Sequence, residues 1–292
     1  MQLLRSLSFL FLLLLGLVAQ AFAEQPFSQG VLWKVEKDGA APSYLFGTIH
    51  VSDPRVTNLP KPVEQAFAQS KSFTMEMVVN EPAELYFVKA MGLQPGQDLR
   101  AMLGDELYSK AVALMQEHGF PPPVTQQLKP WGILITLIVP KPTGEPILDQ
   151  RLHQIATQQR KPVYQLESIE EQVAVFDGMP LKTQVAMLQS ATDHYSELPQ
   201  VVEQTVKAYL ARDLNGLWEL NALYADTDNS AQHYDDFVEH VLFSRNVRMA
   251  ERAQQRLKEG GAFIAIGALH LFGEKGVLAL LQKQGYRLTR IY

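Results

Sequence analysis

Apolar and polar positions alternate in Val31-Leu-Trp-Lys-Val-Glu-Lys37, Asp38-Gly39 supplies a turn, and Ser43-Tyr-Leu-Phe46 resumes the extended pattern, which together predict a β-hairpin. The second strand runs straight into Gly47-Thr-Ile-His50. Pro60 to Ser70 predicts a short helix, with proline early and Val63, Ala66 and Phe67 on one face. Ser72 to Val79 then predicts a strand that carries Glu76 among apolar neighbours. From about Pro82 to Arg160 the period changes to helical: Leu107, Ala111, Leu114 and Met115 follow three-four spacing, as do Leu148, Leu152 and Ile155, and Pro121-Pro122-Pro123 separates two of these helices. Val163 to Leu166 reads as a short buried strand ending in Glu167. A second helical stretch runs from Ile169 to Glu259, interrupted near Asp226-Thr-Asp-Asn-Ser230. Ala262 to Ile266 is a buried strand leading into Gly267-Ala-Leu-His270, Gly273 to Gln284 a helix broken by Gly285, and Tyr286 to Ile291 a last strand. The expected class is α+β: a mixed central sheet with flanking helices, a helix-rich middle section, and a strand–GxxH–helix unit recurring at the two ends.

The first 23 residues read as an address. Arg5 precedes an apolar core from Phe9 to Ala19, and Ala21-Phe22-Ala23 ends in the small-x-small pattern of a cleavage site before Glu24. An 11-residue core is short for a span of about 20 residues. We therefore expect a signal peptide at 1–23, cleaved after Ala23, and a single domain over 24–292 in the periplasm or secreted. No later segment predicts a membrane span; Gly132 to Val139 comes nearest and stops at Pro140-Lys141-Pro142. The 292 residues contain no cysteine, which removes disulfide scaffolds, thiolate zinc sites, iron–sulfur clusters and cysteine nucleophiles. A net charge of −5 argues against broad nucleic-acid binding, which needs a basic face.

Two segments carry candidate chemistry, Tyr44-Leu-Phe-Gly-Thr-Ile-His50 and Ile264-Ala-Ile-Gly-Ala-Leu-His270. In each an apolar strand ends in glycine, which permits close approach of a ligand or another backbone, and a histidine follows three positions later. If the two strands lie side by side, their imidazoles can face one point at the sheet's C-terminal edge, where open sheets collect ligands; otherwise they are two unrelated loop histidines. Glu76 and Glu167 each sit at or beside a buried strand, where an unpaired charge is costly, so each belongs either to this cluster or to a core ion pair with a cation such as Arg245. Two histidines with carboxylates form a ligand set for Zn²⁺, Mn²⁺, Co²⁺ or Fe²⁺. His-x-x-x-His on one helix is absent. His118 is expected at a helix end, His153 and His194 lie in helical patterns without a partner at ligand spacing, and His233 and His240 belong to a solvated helix face. Asp226 to Ser230 starts like a calcium loop but puts Ala231 at the required glycine and Phe237 at the required glutamate.

These blocks resemble the TraB/GumN family, whose members include the Tiki proteases. The resemblance runs from Val31 to Tyr292. It rests on Gly47-Thr-Ile-His50, Met75-Glu76, Leu166-Glu167-Ser-Ile-Glu-Glu-Gln172, Arg245-Asn246 opening a late helix, and Gly267-Ala-Leu-His-Leu-Phe-Gly273 with Gly276-Val277. It implies the fold of erythromycin esterase-like and ChaN-like proteins and a metal-dependent hydrolase. Carried over, His50 and His270 are ligands of a divalent metal (Mn, Co or Zn), and Glu76 is a further ligand or the general base. Glu167 is a ligand or a supporting carboxylate, and Arg245 faces the pocket to stabilise an oxyanion. The implied substrate is a peptide or an envelope protein. Two other classes fit the same fold: a haem or metal carrier without turnover, and a regulator that has kept the fold without hydrolysis.

Overall fold

The computed structural model describes residues 25–222 and 231–292. The expected signal peptide and the Asp226–Ser230 interruption, with its rejected calcium loop, lie outside the described residues. Six strands form one sheet: β1 (Leu32–Glu36), β2 (Ser43–Thr48), β3 (Ser72–Met75), β4 (Val163–Gln165), β5 (Ala262–Gly267) and β6 (Arg287–Arg290). The order is β4-β3-β5-β2-β1-β6, so strands from both ends of the chain meet at its centre. β4, β3, β5 and β2 run parallel, while β1 is antiparallel to both β2 and β6. The sheet is therefore mixed and the class α+β, as the patterns predict.

The α-helices of seven or more residues among the described residues are α1 (Lys61–Gln69), α2 (Glu81–Ala90), α3 (Leu99–Glu117), α4 (Pro130–Leu137), α5 (Leu148–Gln158), α6 (Ile169–Asp177), α7 (Leu181–Asp193), α8 (Leu198–Leu210), α9 (Leu214–Ala222), α10 (Ala231–Val238), α11 (Ser244–Glu259) and α12 (Val277–Lys283). No helix among the described residues is long and apolar enough to cross a membrane. Two apolar cores result. One surrounds the sheet, where Phe46, Phe67, Phe73 and Phe263 pack ring against ring at 5.0–6.4 Å. The other fills the helical middle around Trp131, Met115 and Leu134. Parallel strands need long crossovers, and the sequence supplies them as helices.

Three elements differ from their predicted form. β3 ends at Met75 rather than Val79, because the carbonyl of Glu76 turns away to accept the N–H groups of Leu166 and Glu167 at 3.1 and 2.8 Å. β4 is an edge strand with Tyr164 39% exposed, not a buried one; only Leu166 and Glu167 beyond it are buried. The helix expected from Gly273 starts at Val277, after Gly276.

Gly47 explains the first glycine of the repeated motif. A Cβ built there would meet Leu271 Cδ1 at 2.8 Å and Ala268 Cα at 3.0 Å, because the turn after β5 packs directly on β2. Gly47→Ala is expected to destabilise the fold by about 1–3 kcal/mol through overpacking, read as a lowered urea midpoint with an unchanged m-value.

Candidate active site

Four parallel strands place their C-terminal ends on one edge of the sheet, and each of the four candidate acids and histidines follows such an end. In spatial order along that edge stand Glu167 after β4, Glu76 after β3, His270 after β5 and His50 after β2. The two GxxH segments are thus neighbours, with Thr48 opposite Gly267 in the β2–β5 register. Gly267 has a second task. Its N–H donates to Glu76 Oε1 at 2.6 Å, and a Cβ on it would stand 3.3 Å from both that oxygen and His270 Cδ2.

Each histidine has its Nδ1 held from behind. His50 Nδ1 lies 3.0 Å from Asp149 Oδ2, and Thr48 donates its hydroxyl to the other oxygen of Asp149 at 2.7 Å. The Asp149 charge holds the His50 pKa up to about 9, although His50 is half-exposed at the mouth of the site. His270 is buried, and its Nδ1 lies 2.6 Å from Asn246 Oδ1. Asn246 also donates Nδ2 to the Lys275 carbonyl at 2.9 Å, which fixes which way its amide faces. An amide oxygen can only accept, so Nδ1 of His270 carries the hydrogen and Nε2 the lone pair. Burial holds the pKa of this ring down to about 4 despite the nearby carboxylate of Glu76, so it is neutral near pH 7.

That Nε2 faces Glu76 Oε1 at 3.6 Å. Burial by itself would raise Glu76, but His270, Arg245, His50 and the Gly267 amide together hold it at about 2, so it stays ionised. Its other oxygen accepts from Arg245 Nη2 at 2.6 Å. Behind Arg245 lies Glu167, 1% exposed, which takes Arg245 Nε and Nη2 on one oxygen (2.9 and 2.7 Å) and Arg248 Nε and Nη2 on the other (3.1 and 2.6 Å). Both its oxygens are occupied by guanidinium groups. The structure thus brings His50, Glu76, Arg245 and His270 to one cavity wall and sets Glu167 behind that wall.

The cavity, about 420 Å³, lies between the sheet edge and the helical middle. Its other walls are mainly apolar, from α4, α7, α8, α9 and α10, which matches the default form of a ligand site: an apolar pocket with a few convergent polar groups. Thr48, Asp149, Asn246 and Arg248 escaped sequence reasoning as parts of the site. Asn246 and Arg248 adjoin Arg245 on one helix, a usable signal. Asp149 comes from α5, 99 positions beyond His50, and only its burial on an amphipathic helix marks it. Of the other histidines, His194 lines the cavity and meets Glu197, while His118 ends α3 against Tyr195 Oη at 2.5 Å, His233 meets Thr183, and His240 meets the Asp236 carbonyl.

The donor set can be tested for a metal directly. A neutral imidazole whose Nδ1–H is fixed by an acceptor, with Nε2 pointing at a carboxylate, is the arrangement of a metal-ligating histidine with its outer support. Asn246 supplies that support for His270, and Glu76 supplies an ionised oxygen donor; His50, which Asp149 holds protonated near pH 7, would give up its Nε2 proton on binding the ion. The residues fit a divalent cation in chemistry. No three His, Cys, Asp or Glu side chains among the described residues are gathered close enough to enclose one ion.

The sequence profile of the TraB/PrgY/gumN family matches residues 31–290. The chain is 26% identical to Metalloprotease TIKI1 of Homo sapiens, over 88% of its own length and 61% of the relative's. It is also 26% identical to Metalloprotease TIKI2 of Danio rerio, over 91% and 62%, and 23% identical to Uncharacterized protein YbaP of Escherichia coli (strain K12), over 82% and 87%. The chain spans less than two thirds of the length of the TIKI relatives. No solved structure matches it.

Proposed function

The chain belongs to the TraB/PrgY/gumN family, and from that premise we propose that it is an exported metal-dependent hydrolase that cleaves peptide bonds in peptides or envelope proteins. Its similarity to proteins named metalloproteases supports this reading. The observation that carries it is the pair of electron-rich atoms facing each other at 3.6 Å, the Nε2 lone pair of His270 and the ionised Glu76, each fixed by its own partners. A cation joins two such donors, whereas a proton has little affinity for either near pH 7. His50, His270 and Glu76 are the ligands in this reading, for Mn²⁺, Co²⁺ or Zn²⁺. When bound, such an ion supplies Lewis acidity, which activates water and polarises a scissile carbonyl.

The protein's own groups do the rest. Asp149 and Thr48 orient the His50 ring, and Asn246 fixes the His270 tautomer. Arg245 keeps a fixed positive charge on the cavity wall, where negative charge builds on the carbonyl oxygen. Glu167 acts through Arg245 and holds its guanidinium in place. The apolar walls exclude water from the bond being cleaved.

The test is metal content by mass spectrometry after dialysis and reloading with Mn²⁺, Co²⁺ or Zn²⁺. Wild type is expected to hold close to one ion per chain and His50→Ala/His270→Ala none, while Asp149→Asn weakens affinity by about 10–100-fold through loss of outer support. Equal metal content in wild type and the double variant would sink the shared-ligand reading.

A further inference from the structure

The polar edge forms one end of a cavity whose remainder is walled mainly by helices, with Ile138, Val139 and Pro140 of the turn after α4 joining them. From His50, Glu76, Arg245 and His270 the space extends against Leu134, Leu137, Met187, Val202, Leu217 and Leu242. A helix spends its N–H and C=O groups on itself, so the helical parts of these walls offer an incoming peptide backbone few partners. An extended peptide brings a donor and an acceptor with every residue, and burying them unpaired is costly. Several polar side chains in the walls are engaged with the protein itself: Tyr195 Oη with His118 Nε2 at 2.5 Å, Asn221 Nδ2 with Tyr234 Oη at 3.3 Å, and His194 Nδ1 with Glu197 at 3.0 Å. The sheet edges that could pair with an added strand belong to β4 and β6, whereas the polar end of the cavity is built on the central strands β3, β5 and β2.

We propose that this cavity holds a linear hydrocarbon chain, the acyl part of an N-acylated peptide or envelope protein whose acyl amide lies at the polar edge. The cleavage part rests on the hydrolase reading above; the seating of the chain stands on the helical walls alone. An acyl chain has no hydrogen-bonding group beyond its carbonyl, so it asks nothing of these walls except contact. The carbonyl stays beside Arg245, His50 and Glu76, the groups that could act on it.

The proposal is tested with N-acylglycines of 8 to 16 carbons, titrated calorimetrically into the purified protein. The dissociation constant is expected to fall by about fourfold for each added CH₂ until the chain fills the cavity, then to level off. Val202→Trp, which places a large side chain in the apolar part, is expected to weaken the longest tight-binding probe by at least about tenfold and to leave metal content as in wild type. A dissociation constant independent of chain length overturns the proposal. So does Val202→Trp binding as wild type does, and so does an apolar hexapeptide that binds more tightly than every N-acylglycine. The chain-length series in wild type decides the matter even where Val202→Trp does not fold. If the series holds but metal is independent of His50 and His270, the chain site stands and the hydrolase reading falls.

Discussion

On the hydrolase reading proposed above, replacing Glu76 with glutamine is expected to lower the turnover of a cleaved peptide by at least about 10²-fold, with the protein still folded. Glu76 is the point where the site's contacts converge. It accepts from the Gly267 amide on one oxygen and from Arg245 on the other, and faces His270 Nε2 at 3.6 Å. Glutamine keeps the shape and can still offer one oxygen to the Gly267 N–H. It removes the negative charge, however, and puts an amide N–H₂ where an acceptor stood, against either the Arg245 guanidinium or the Gly267 N–H. A carboxylate held near pKa 2 is a weak proton acceptor but a dependable charge, so the loss is read as a fall in kcat and in metal content together. A quenched-fluorescent peptide library, screened first on wild type, supplies the substrate. Glu76→Gln with wild-type turnover would show that the chemistry lies elsewhere.

The largest structural effect is expected at Glu167. Its carboxylate is buried and is shared by two guanidinium groups, four hydrogen bonds in all. Glu167→Ala leaves Arg245, which is itself nearly buried, with Glu76 as its remaining carboxylate partner, and leaves Arg248 with a free fork. Removing one partner of such a buried network costs about 3–5 kcal/mol, since the remaining charge keeps its desolvation penalty without its compensation. The lower end of that range is expected, because Arg248 is 29% exposed and can recruit water. Urea denaturation followed by circular dichroism measures it. A loss under about 1 kcal/mol would mean that the guanidinium groups find water or other partners, and that Glu167 does not hold Arg245 in place. If Glu167 instead acted directly on substrate, Glu167→Gln would abolish turnover with little change in stability.

Local pattern carried most of the framework. The hairpin β1–β2, the helix α1 and the strand β5 follow from period-2 or three-four spacing and from turn residues, because their folding is decided within ten or so positions. The paired GxxH segments and Glu167 are legible for the same reason, since each follows a short apolar run of strand pattern, whereas Glu76 reads as lying within its strand, Ser72 to Val79. What the pattern misjudged were ends and edges. Whether β3 continues past Met75 depends on Leu166 and Glu167, some 90 positions later, and whether β4 is central or peripheral depends on where the sheet stops.

Periodicity and glycine placement are local properties, and they suffice for an α+β chain with two histidines and Glu167 just past strand ends and Glu76 within a strand. Tertiary structure alone decided that β2, β5, β3 and β4 run parallel and adjacent, which turns four scattered residues into one row along an edge. It also decided their division of labour. Glu76 and Glu167 are equivalent as letters, yet one faces the cavity and the other sits behind Arg245 with both oxygens taken. Asp149 and Asn246 become supports of the histidines through contacts 99 and 24 positions apart. Such contacts arise from packing between elements, and no spacing rule along the chain encodes them.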